Sequence, residues 1–390
     1  MDQVRNPFAP GAGSQPPELA GREEIIANAE IALQRILIGR PAQSQMLLGL
    51  RGVGKTVLLN RIEQIAERLN YLTSFIEAPE DRKLVDLLYP KIHQVLRKLS
   101  LFENAKTATY NAMRALRSFA SAFKITMGDF EVSVDPEPGV ADSGNLEYDI
   151  TELFLKIGEA AKAAGRGWVL LIDEVQYLSP VELSALIVAI HRINQKALPV
   201  LFFGAGLPAV AALSGDAKSY AERLFTYPKI DALNKIDAAN AIRKPIEDEG
   251  ESIDDDLLYN IVDLTKGYPY FLQEWGFQVW NASIQSPISI DCIYAAQKEA
   301  FRRLDEGFFK VRIDRLTPKE REYVIAMAQL GSGPYRSADV ADKLNEKLTT
   351  LGPRRAQIIA KGMIYSPAYG DIAFTVPMFD DYLKRHWIKR

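Results

Sequence analysis

Residues 46–58 of the chain, MLLGLRGVGKTVL, decide its fold. Three apolar residues, a glycine-rich turn and an amphipathic run follow one another, which is the order of a strand, a loop and a helix. The turn fits G-x-x-x-x-G-K-[ST], whose glycines let successive backbone N–H groups point into one concavity around phosphate oxygens. The following helix adds the positive end of its dipole. The stretch therefore predicts a phosphate site, and the alternative is a chance glycine turn.

The residue types of the turn also indicate which ligands it binds. In this motif Lys55 reaches the β- and γ-phosphates, and the hydroxyl of Thr56 ligates Mg²⁺. We therefore predict ATP and Mg²⁺ as cofactors. The predicted nucleotide-binding residues of the turn are Gly49, Arg51, Gly52, Val53, Gly54, Lys55, Thr56 and Val57.

A second motif supplies acidic groups. Residues 168–174, WVLLIDE, form an apolar run that ends in Asp173 and Glu174. At the carboxyl end of a buried parallel strand these carboxylates lie on the ligand-binding edge of the sheet. We expect Asp173 to hold the metal, mostly through water, and Glu174 to polarise the attacking water. The alternative is an ordinary helix N-cap, but two compatible motifs on one sheet favour hydrolysis of ATP to ADP and phosphate over binding alone.

Apolar strands and amphipathic helices alternate around these motifs. This alternation predicts an α/β fold with a doubly wound parallel sheet. The predicted helices span 23–37, 83–99 and 180–195, and the predicted strands span 72–77, 168–172 and 199–203. A helix over 104–122 and a small hairpin over 123–134 form an insertion at about residues 104–135.

Four segments make up the predicted domain organisation. Residues 1–20 are an extended arm, because 7–20 contain four prolines and no hydrophobic periodicity, and we expect it not to be packed. An α/β ATPase domain at 21–228 and a helical lid at 229–312 follow. Helices over 318–330, 337–347 and 353–361 with two short strands after them predict a winged helix-turn-helix domain at 313–390.

The composition limits the cellular setting. The single cysteine, Cys292, allows no intrachain disulfide. About 18 consecutive apolar residues are needed to span a bilayer, and the sequence contains no such run. We expect a cytoplasmic protein that does not act in a membrane. Residues 301–390 carry 17 Lys and Arg against 11 Asp and Glu, a net charge of +6, which leaves −9 for residues 1–300. This asymmetry indicates an anionic partner or only a solvated basic face.

These features together resemble the AAA+ superfamily, in particular the clade of origin-recognition and initiator ATPases and the related STAND signalling NTPases. The resemblance covers about residues 18–385 and rests on GLRGVGKT at 49–56, LLIDE at 170–174, AGRE at 20–23, the helical lid with Gly267-Tyr-Pro, and the terminal winged helix. It implies a sheet order of 5-1-4-3-2. It also implies that the arm, Gly21 and Arg22 wrap the adenine.

The chain departs from the AAA+ pattern in two places. The run FFGAG at 202–206 has no polar sensor residue, so water positioning depends on Glu174 alone. The lid has no recognisable sensor arginine but contains Gly267 and Pro269, which resemble the GxP of STAND proteins that packs against the nucleotide. The alternative for this Gly-Tyr-Pro is a simple helix stop.

Three arginines are candidates for further roles. Arg223 resembles the AAA+ residue that enters a neighbouring subunit's ATP site, which implies a homo-oligomer and a catalytic arginine. A surface salt bridge, for example with Glu222, is the alternative. Arg354 and Arg355 lie in the first turn of a recognition helix predicted to begin at Pro353, where they suit contacts with DNA.

Two functions are compatible with these observations. The first, which is our leading prediction, is an ATPase that uses ATP to change the geometry of its lid and winged helix on duplex DNA. The second is a STAND-like signalling ATPase, for example in phage defence, whose winged helix docks a protein partner, since a fold does not determine a function. The basic recognition helix favours the first, whereas the Gly-Tyr-Pro lid and the missing sensor favour the second.

Overall fold

The computed structural model describes residues 1–11, 16–79, 81–125 and 134–388. The chain divides into two compact units. We call residues 23–49 and 55–230 the α/β unit, and residues 1–22, 50–54 and 231–390 the helical unit. Most of the hairpin predicted over 123–134 lies outside the described residues.

A parallel five-stranded sheet forms the centre of the α/β unit. Its strands are β1 (Ser44–Leu48), β2 (Tyr71–Glu77), β3 (Gly167–Asp173), β4 (Val200–Gly206) and β5 (Phe225–Thr226). They are ordered β2-β3-β4-β1-β5, and each neighbouring pair is parallel. The order 5-1-4-3-2 implied by the resemblance is confirmed.

Helices flank this sheet. They are α1 (Glu23–Leu37), α2 (Lys55–Arg68), α3 (Leu84–Leu99), α4 (Lys106–Ala122), α5 (Leu146–Ala163), α6 (Pro180–Gln195), α7 (Val210–Ala217) and α8 (Ala221–Leu224). Every residue of β1, β3 and β4 is buried, which explains the apolar runs at 46–48, 168–172 and 200–203. At the start of α6, Ser179 and Glu182 form a capping box and Pro180 occupies the first helical position, as their spacing indicates.

The strand directions bring the two sequence motifs to one edge of the sheet. The N–H of Gly49, directly after β1, donates to the carbonyl of Gly206 at the end of β4, at 3.1 Å. The carbonyl of Asp173, at the end of β3, accepts from the N–H of Ala78 at 3.1 Å. The glycine-rich turn and the acidic pair therefore follow the carboxyl ends of neighbouring strands, where ligands bind in open α/β sheets.

Helices make up most of the helical unit. They are α9 (Lys235–Asp248), α10 (Asp255–Thr265), α11 (Pro269–Ala282), α12 (Ile290–Arg303), a π-helical segment (Leu304–Lys310), α13 (Val311–Ile313), α14 (Pro318–Gln329), α15 (Ser337–Leu344), α16 (Leu348–Ala360) and α17 (Phe379–His386). Strands β6 (Tyr335–Arg336), β7 (Ile364–Tyr365) and β8 (Asp371–Phe374) form an antiparallel sheet with the order β6-β8-β7. Within the described part of the chain, no helix is both long and apolar enough to cross a membrane.

The beginning of the arm is packed, contrary to the prediction for residues 7–20. Phe8 is 3% exposed, and its ring lies against Gly276 so closely that a Cβ there would be 2.6 Å from it. The side-chain amide of Asn6 donates to the carbonyl of Phe277 at 3.0 Å. Local periodicity could not predict the packing of the arm, because it depends on one aromatic side chain that contacts a helix distant in sequence.

The helix that carries Arg354 and Arg355 also begins earlier than predicted. It starts at Leu348, so Pro353 lies inside α16 and the two arginines lie beyond its first turn. Leu351 is 2% exposed, and its packing favours helix formation ahead of the proline. The prediction used Pro353 as a start signal because proline is favoured in the first turn of a helix, but it is the sixth residue of α16.

Candidate functional site

The lysine of the glycine-rich turn is buried at the first position of α2. Lys55 is 6% exposed, and its Nζ donates to the carbonyl of Gly49 at 3.0 Å. Gly54 has φ +94°, and a Cβ added to it would meet no atom within 4 Å, so open space lies beside the backbone there. A buried cation at a helix N-terminus next to such an open backbone fits the phosphates of a nucleotide.

Thr56 and Asp173 bring two oxygen ligands together. The Thr56 hydroxyl donates to Asp173 Oδ2 at 2.5 Å, and the Glu174 N–H donates to Asp173 Oδ1 at 2.8 Å. Asp173 is 3% exposed, and burial raises the pKa of its carboxyl, with a smaller contribution from the charge of Glu174. A hydroxyl next to a buried carboxylate is the donor set that Mg²⁺ prefers, so these residues fit the predicted metal.

Glu174 has an unusual backbone conformation that its neighbours stabilise. Its φ of 56° and ψ of 41° are left-handed, which costs a non-glycine residue about 1 kcal/mol or more. The Tyr177 N–H donates to its carbonyl at 2.9 Å and closes a short 3₁₀ turn over Val175–Tyr177. The turn keeps Glu174 directly beside Asp173 at the edge of the sheet.

Gln176 is a site residue that sequence reasoning missed. Its Nε2 donates to the Glu174 carboxylate, and its Oε1 accepts from the N–H of Leu207 at 3.0 Å. A Cβ on Gly206 would lie 2.9 Å from the same Oε1, so the glycine leaves room for this amide. Gln176 therefore connects Glu174 to the end of β4, the strand in which the sequence has no polar sensor.

The glycine-rich turn also bonds to the lid and to the C-terminal elements within the helical unit. The Tyr268 hydroxyl donates to the carbonyl of Arg51, and the Tyr270 N–H donates to the carbonyl of Gly52 at 3.2 Å. The Arg51 N–H donates to the carbonyl of Thr375, directly after β8, at 3.2 Å. Three backbone groups of the turn are thus bonded to three distant residues of the helical unit.

Gly267 and Pro269 give the lid tyrosine its position. Gly267 has φ +66°, and a Cβ there would overlap the carbonyl oxygen of Leu233, so only glycine fits. Pro269 is the first residue of α11. The segment is therefore a helix stop and start, as the structural alternative proposed. The segment also has a second role, because Tyr268, between Gly267 and Pro269, contacts the glycine-rich turn.

Gly21 and Arg22 lie against the first helix of the lid. A Cβ on Gly21, which has φ +68°, would lie 2.5 Å from Asp237 Oδ2, and the Arg22 guanidinium donates to the carbonyl of Asp231. All four residues belong to the helical unit. Their role around the adenine stays a prediction.

Arg312 is a second basic residue near the glycine-rich turn that the sequence analysis did not identify. Its guanidinium lies 4.0 Å from the centroid of the Phe308 ring. Burial, together with the positive charge of Arg51, lowers the pKa of Arg312 to about 10. Two cations therefore repel each other within the helical unit, and an anion held near them would relieve this repulsion.

Arg223 lies at the opposite end of the sheet from Gly49. It is exposed, two residues before the start of β5, and its carbonyl accepts from the side chain of Gln43, which directly precedes β1, at 2.7 Å. Since β1 is five residues long, about 16 Å separates its two ends. Among the residues that the structure describes, the Arg223 side chain forms no ion pair, so the proposed salt bridge with Glu222 is absent there.

Arg354 and Arg355 are both hydrogen-bonded within the chain, and their contact with DNA stays a prediction. The guanidinium of Arg354 donates to both carboxylate oxygens of Glu346, each at 3.0 Å, and only 15% of its side chain is exposed. The Arg355 guanidinium donates to the Ser337 hydroxyl at 2.9 Å. These bonds tie α16 to α15 and to the turn between them.

Two family models match the chain. Residues 18–203 match the AAA ATPase domain, and residues 306–383 match a domain of unknown function (DUF8462). Residues 18–203 are therefore similar to an AAA ATPase domain, which supports the predicted resemblance to the AAA+ superfamily. The comparison with curated proteins found no match.

Several solved structures share the fold. The Walker-type ATPase PABY2304 of Pyrococcus abyssi is 16% identical with a TM-score of 0.59, and the match covers 94% of this chain and 96% of that one. The Aeropyrum pernix Orc1 protein in complex with DNA is 14% identical, with coverage of 98% and 96% and a TM-score of 0.48. The RuvB Holliday junction branch migration motor of Thermotoga maritima is 15% identical, with coverage of 96% and 99% and a TM-score of 0.47. At these identities the likeness to PABY2304 shows the fold.

Proposed function

We propose that this protein is a Mg²⁺-dependent ATPase that works as a switch. The glycine-rich turn at residues 49–56 is its P-loop, and whether ATP or ADP is bound there sets the arrangement of the lid and the C-terminal elements. The observation that carries this proposal is the set of three hydrogen bonds from Tyr268, Tyr270 and Thr375 to the P-loop backbone. A backbone that must adapt to a γ-phosphate cannot move without changing these bonds. A change of ligand is thereby converted into a change at distant elements, as in other nucleotide switches.

The residues of the α/β unit suit the hydrolytic step. Lys55 is placed to neutralise phosphate charge, and Thr56 with Asp173 would hold Mg²⁺, which supplies charge stabilisation at the phosphoryl oxygens when bound. Glu174 accepts a hydrogen bond from the Gln176 amide, which orients one carboxylate oxygen and leaves the other to accept a proton from water. Gln176 would therefore be a positioning residue for the general base.

Arg51 and Arg312 offer a route by which charge in the P-loop is sensed. Burial and the nearby positive charge of Arg51 make the charged form of Arg312 less favourable, as its lowered pKa indicates. Phosphate in the loop would offset this cost, and loss of the γ-phosphate would restore part of it. Arg312 follows the π-helical segment, so the electrostatic change would act where the lid leads into the C-terminal helices.

For the output of the switch we favour a protein partner over duplex DNA. Arg354 and Arg355 are bonded within the chain, and every exposed residue of α16 is uncharged. These exposed residues are Leu348, Thr349, Thr350, Pro353, Ala356, Gln357, Ile359 and Ala360. A neutral helix face with two large apolar residues suits a protein surface better than a phosphate backbone.

Hydrogen exchange tests the switch. The wild type is compared in its ATPγS and ADP states, and we expect the exchange of amides in residues 306–383 to differ between them. Tyr268→Phe removes only the hydroxyl that bonds to Arg51, so it should keep nucleotide affinity while reducing that difference. Tyr259→Phe, an exposed tyrosine of the same unit, is the matched control. Equal exchange in both nucleotide states of the wild type would refute the switch.

The partner is tested separately by measuring the ATPase rate and binding with and without duplex DNA. We expect neither stimulation nor salt-sensitive binding in the ATP or the ADP state. Affinity that falls with log salt at about −0.9 per phosphate contact would overturn the protein-docking proposal and restore DNA as the partner.

A further inference from the structure

The α/β unit contains a second cavity that the proposed ATPase reaction does not use. Its volume is about 980 Å³, which is at the upper end of the usual range for ligand sites. Helix α1 forms one wall, and residues 38–43, 194–198 and 223–229 form the others. Residues 38–43, 194–198 and 223–224 precede β1, β4 and β5, whereas Lys229 pairs with Leu48 at the carboxyl end of β1, so the cavity extends along β1 from its amino end.

The lining of this cavity is positively charged. Arg35, Arg40, Arg223 and Lys229 line it with only one carboxylate, that of Glu24, which gives a net charge of +3. Among the residues with described positions, none of the four cations forms an ion pair. Unpaired cations around a concave surface raise the local concentration of anions.

One buried side chain in the cavity lacks a hydrogen-bond partner. Gln45, in β1, is 5% exposed, and its Oε1 has no partner among the described atoms. Met46 and Leu48 belong to the core on the other face of the sheet, so the alternation of the strand directs Gln45 toward α1 and the cavity. A buried acceptor without a donor costs free energy, and a ligand N–H or O–H would offset it.

The remaining lining combines carboxamides with apolar surface. Asn28, Gln43 and Asn194 join Gln45 as groups that both donate and accept, while Ile25 and Leu198 provide flat apolar contacts. A fatty acid would satisfy the cations and the apolar wall but not four carboxamides. A heterocyclic base with a phosphate satisfies all three, since carboxamides pair with base edges and arginines bind phosphate.

We propose that this cavity binds a nucleoside monophosphate or a short oligonucleotide, with the base toward Gln45 and the phosphate toward Arg40. This ligand site is distinct from the P-loop. A monophosphate lacks the β- and γ-phosphates that Lys55 faces, so it discriminates between the two sites. The proposal does not depend on ATP hydrolysis.

Calorimetric titration with AMP, GMP, CMP, UMP and the dinucleotide pApA tests the site. We expect at least one of them to bind one per chain with a Kd below about 1 mM, a typical value for a small-molecule site. Lys55→Ala should leave this affinity unchanged. Arg40→Glu and Ile31→Glu should each weaken it by about tenfold or more, whereas Arg192→Glu and Ile236→Glu, at exposed positions outside the cavity, should not.

Gln45→Met separates binding from folding. If Oε1 has no partner in the free protein, an apolar side chain of similar length should keep or raise the Tm while weakening the binding of the nucleotide. A lower Tm together with unchanged affinity would refute the role of Gln45. Dodecanoate, titrated in the same way, represents the fatty-acid alternative. The whole proposal fails if none of the five nucleotides binds, if Lys55→Ala abolishes the binding, or if dodecanoate binds and the nucleotides do not.

Discussion

The Gln176 side chain donates through Nε2 to the Glu174 carboxylate and accepts through Oε1 from the N–H of Leu207. The nitrogen of this amide therefore bonds to the predicted general base, and its oxygen bonds to the residue directly after β4. The orientation of Glu174 depends on a neighbour two residues away and on a separate strand.

Removal of this amide should slow the hydrolysis of ATP without weakening its binding. Gln176→Leu is expected to lower kcat by about tenfold to a hundredfold, with KM unchanged, because only the orientation of the base is lost. Gln34→Leu, on the exposed side of α1, is the control. In Gln176→Glu the amide donor is replaced by a carboxylate that cannot donate to Glu174, so kcat should fall as it does in Gln176→Leu. A kcat equal to that of the wild type in both variants would contradict the role of this contact.

Asp173→Asn should stabilise the free protein and remove its response to nucleotide. Because burial raises the pKa of Asp173, the ionised form present at neutral pH destabilises the fold, and a neutral side chain of the same shape avoids this cost. We expect a higher Tm without ligand and a smaller increase in Tm with ATP and Mg²⁺, measured by differential scanning calorimetry. A lower Tm without ligand would show that the carboxylate stabilises the fold.

The two motifs of the P-loop edge should give opposite phenotypes. Lys55→Ala is expected to abolish ATP binding because it removes the cation that faces the phosphates. Glu174→Gln should bind ATP like the wild type and retain it, because only the activation of water is lost. Filter binding of labelled ATP together with single-turnover hydrolysis distinguishes them. Hydrolysis by Glu174→Gln at the wild-type rate would disprove the assignment.

Arg223 should act in the ATP site of another copy of the chain. It lies about 16 Å along β1 from Gly49, so it does not reach its own phosphates. We expect Arg223→Ala to keep ATP affinity and to lower turnover by about a thousandfold or less, and the specific activity of the wild type to rise with protein concentration. Activity that is independent of concentration in a strict monomer would exclude this role.

The ion pair of Arg354 and Glu346 should be structural. Two hydrogen bonds in a largely buried position predict a coupling energy of about 1 kcal/mol in a double-mutant cycle of Arg354→Ala and Glu346→Gln, measured by urea unfolding. Neither change should alter the salt dependence of any DNA binding. A smaller salt slope in Arg354→Ala would instead show that this arginine contacts phosphate.

Much of the P-loop edge was predictable because its signals are local. Gly49 to Thr56 and the pair Asp173 and Glu174 are short motifs between elements of clear periodicity, and parallel strands bring them to one edge. The strand order could be inferred only from the resemblance, since apolar periodicity does not determine which strands are neighbours. Gln176 was not found because its role requires the 3₁₀ turn and the position of β4 next to β3.

The predictions that failed involve contacts distant in sequence. Phe8 packs on Gly276, and no local pattern in a proline-rich arm indicates such a partner. The start of α16 was misplaced because a proline was given more weight than the burial of Leu351. The contact of Arg354 and Arg355 with DNA stays a prediction, although their charge alone does not reveal that Glu346 pairs with Arg354.

The bond from the Arg51 N–H to the Thr375 carbonyl has a practical consequence for work with fragments. A chain shortened before Thr375 loses an acceptor of the P-loop backbone, although none of the deleted residues is part of the phosphate motif. Reduced ATP turnover in such a fragment would report a changed loop and not a catalytic group in the missing part. Domain dissection would therefore misassign the activity, and intact chains with point substitutions are the appropriate material.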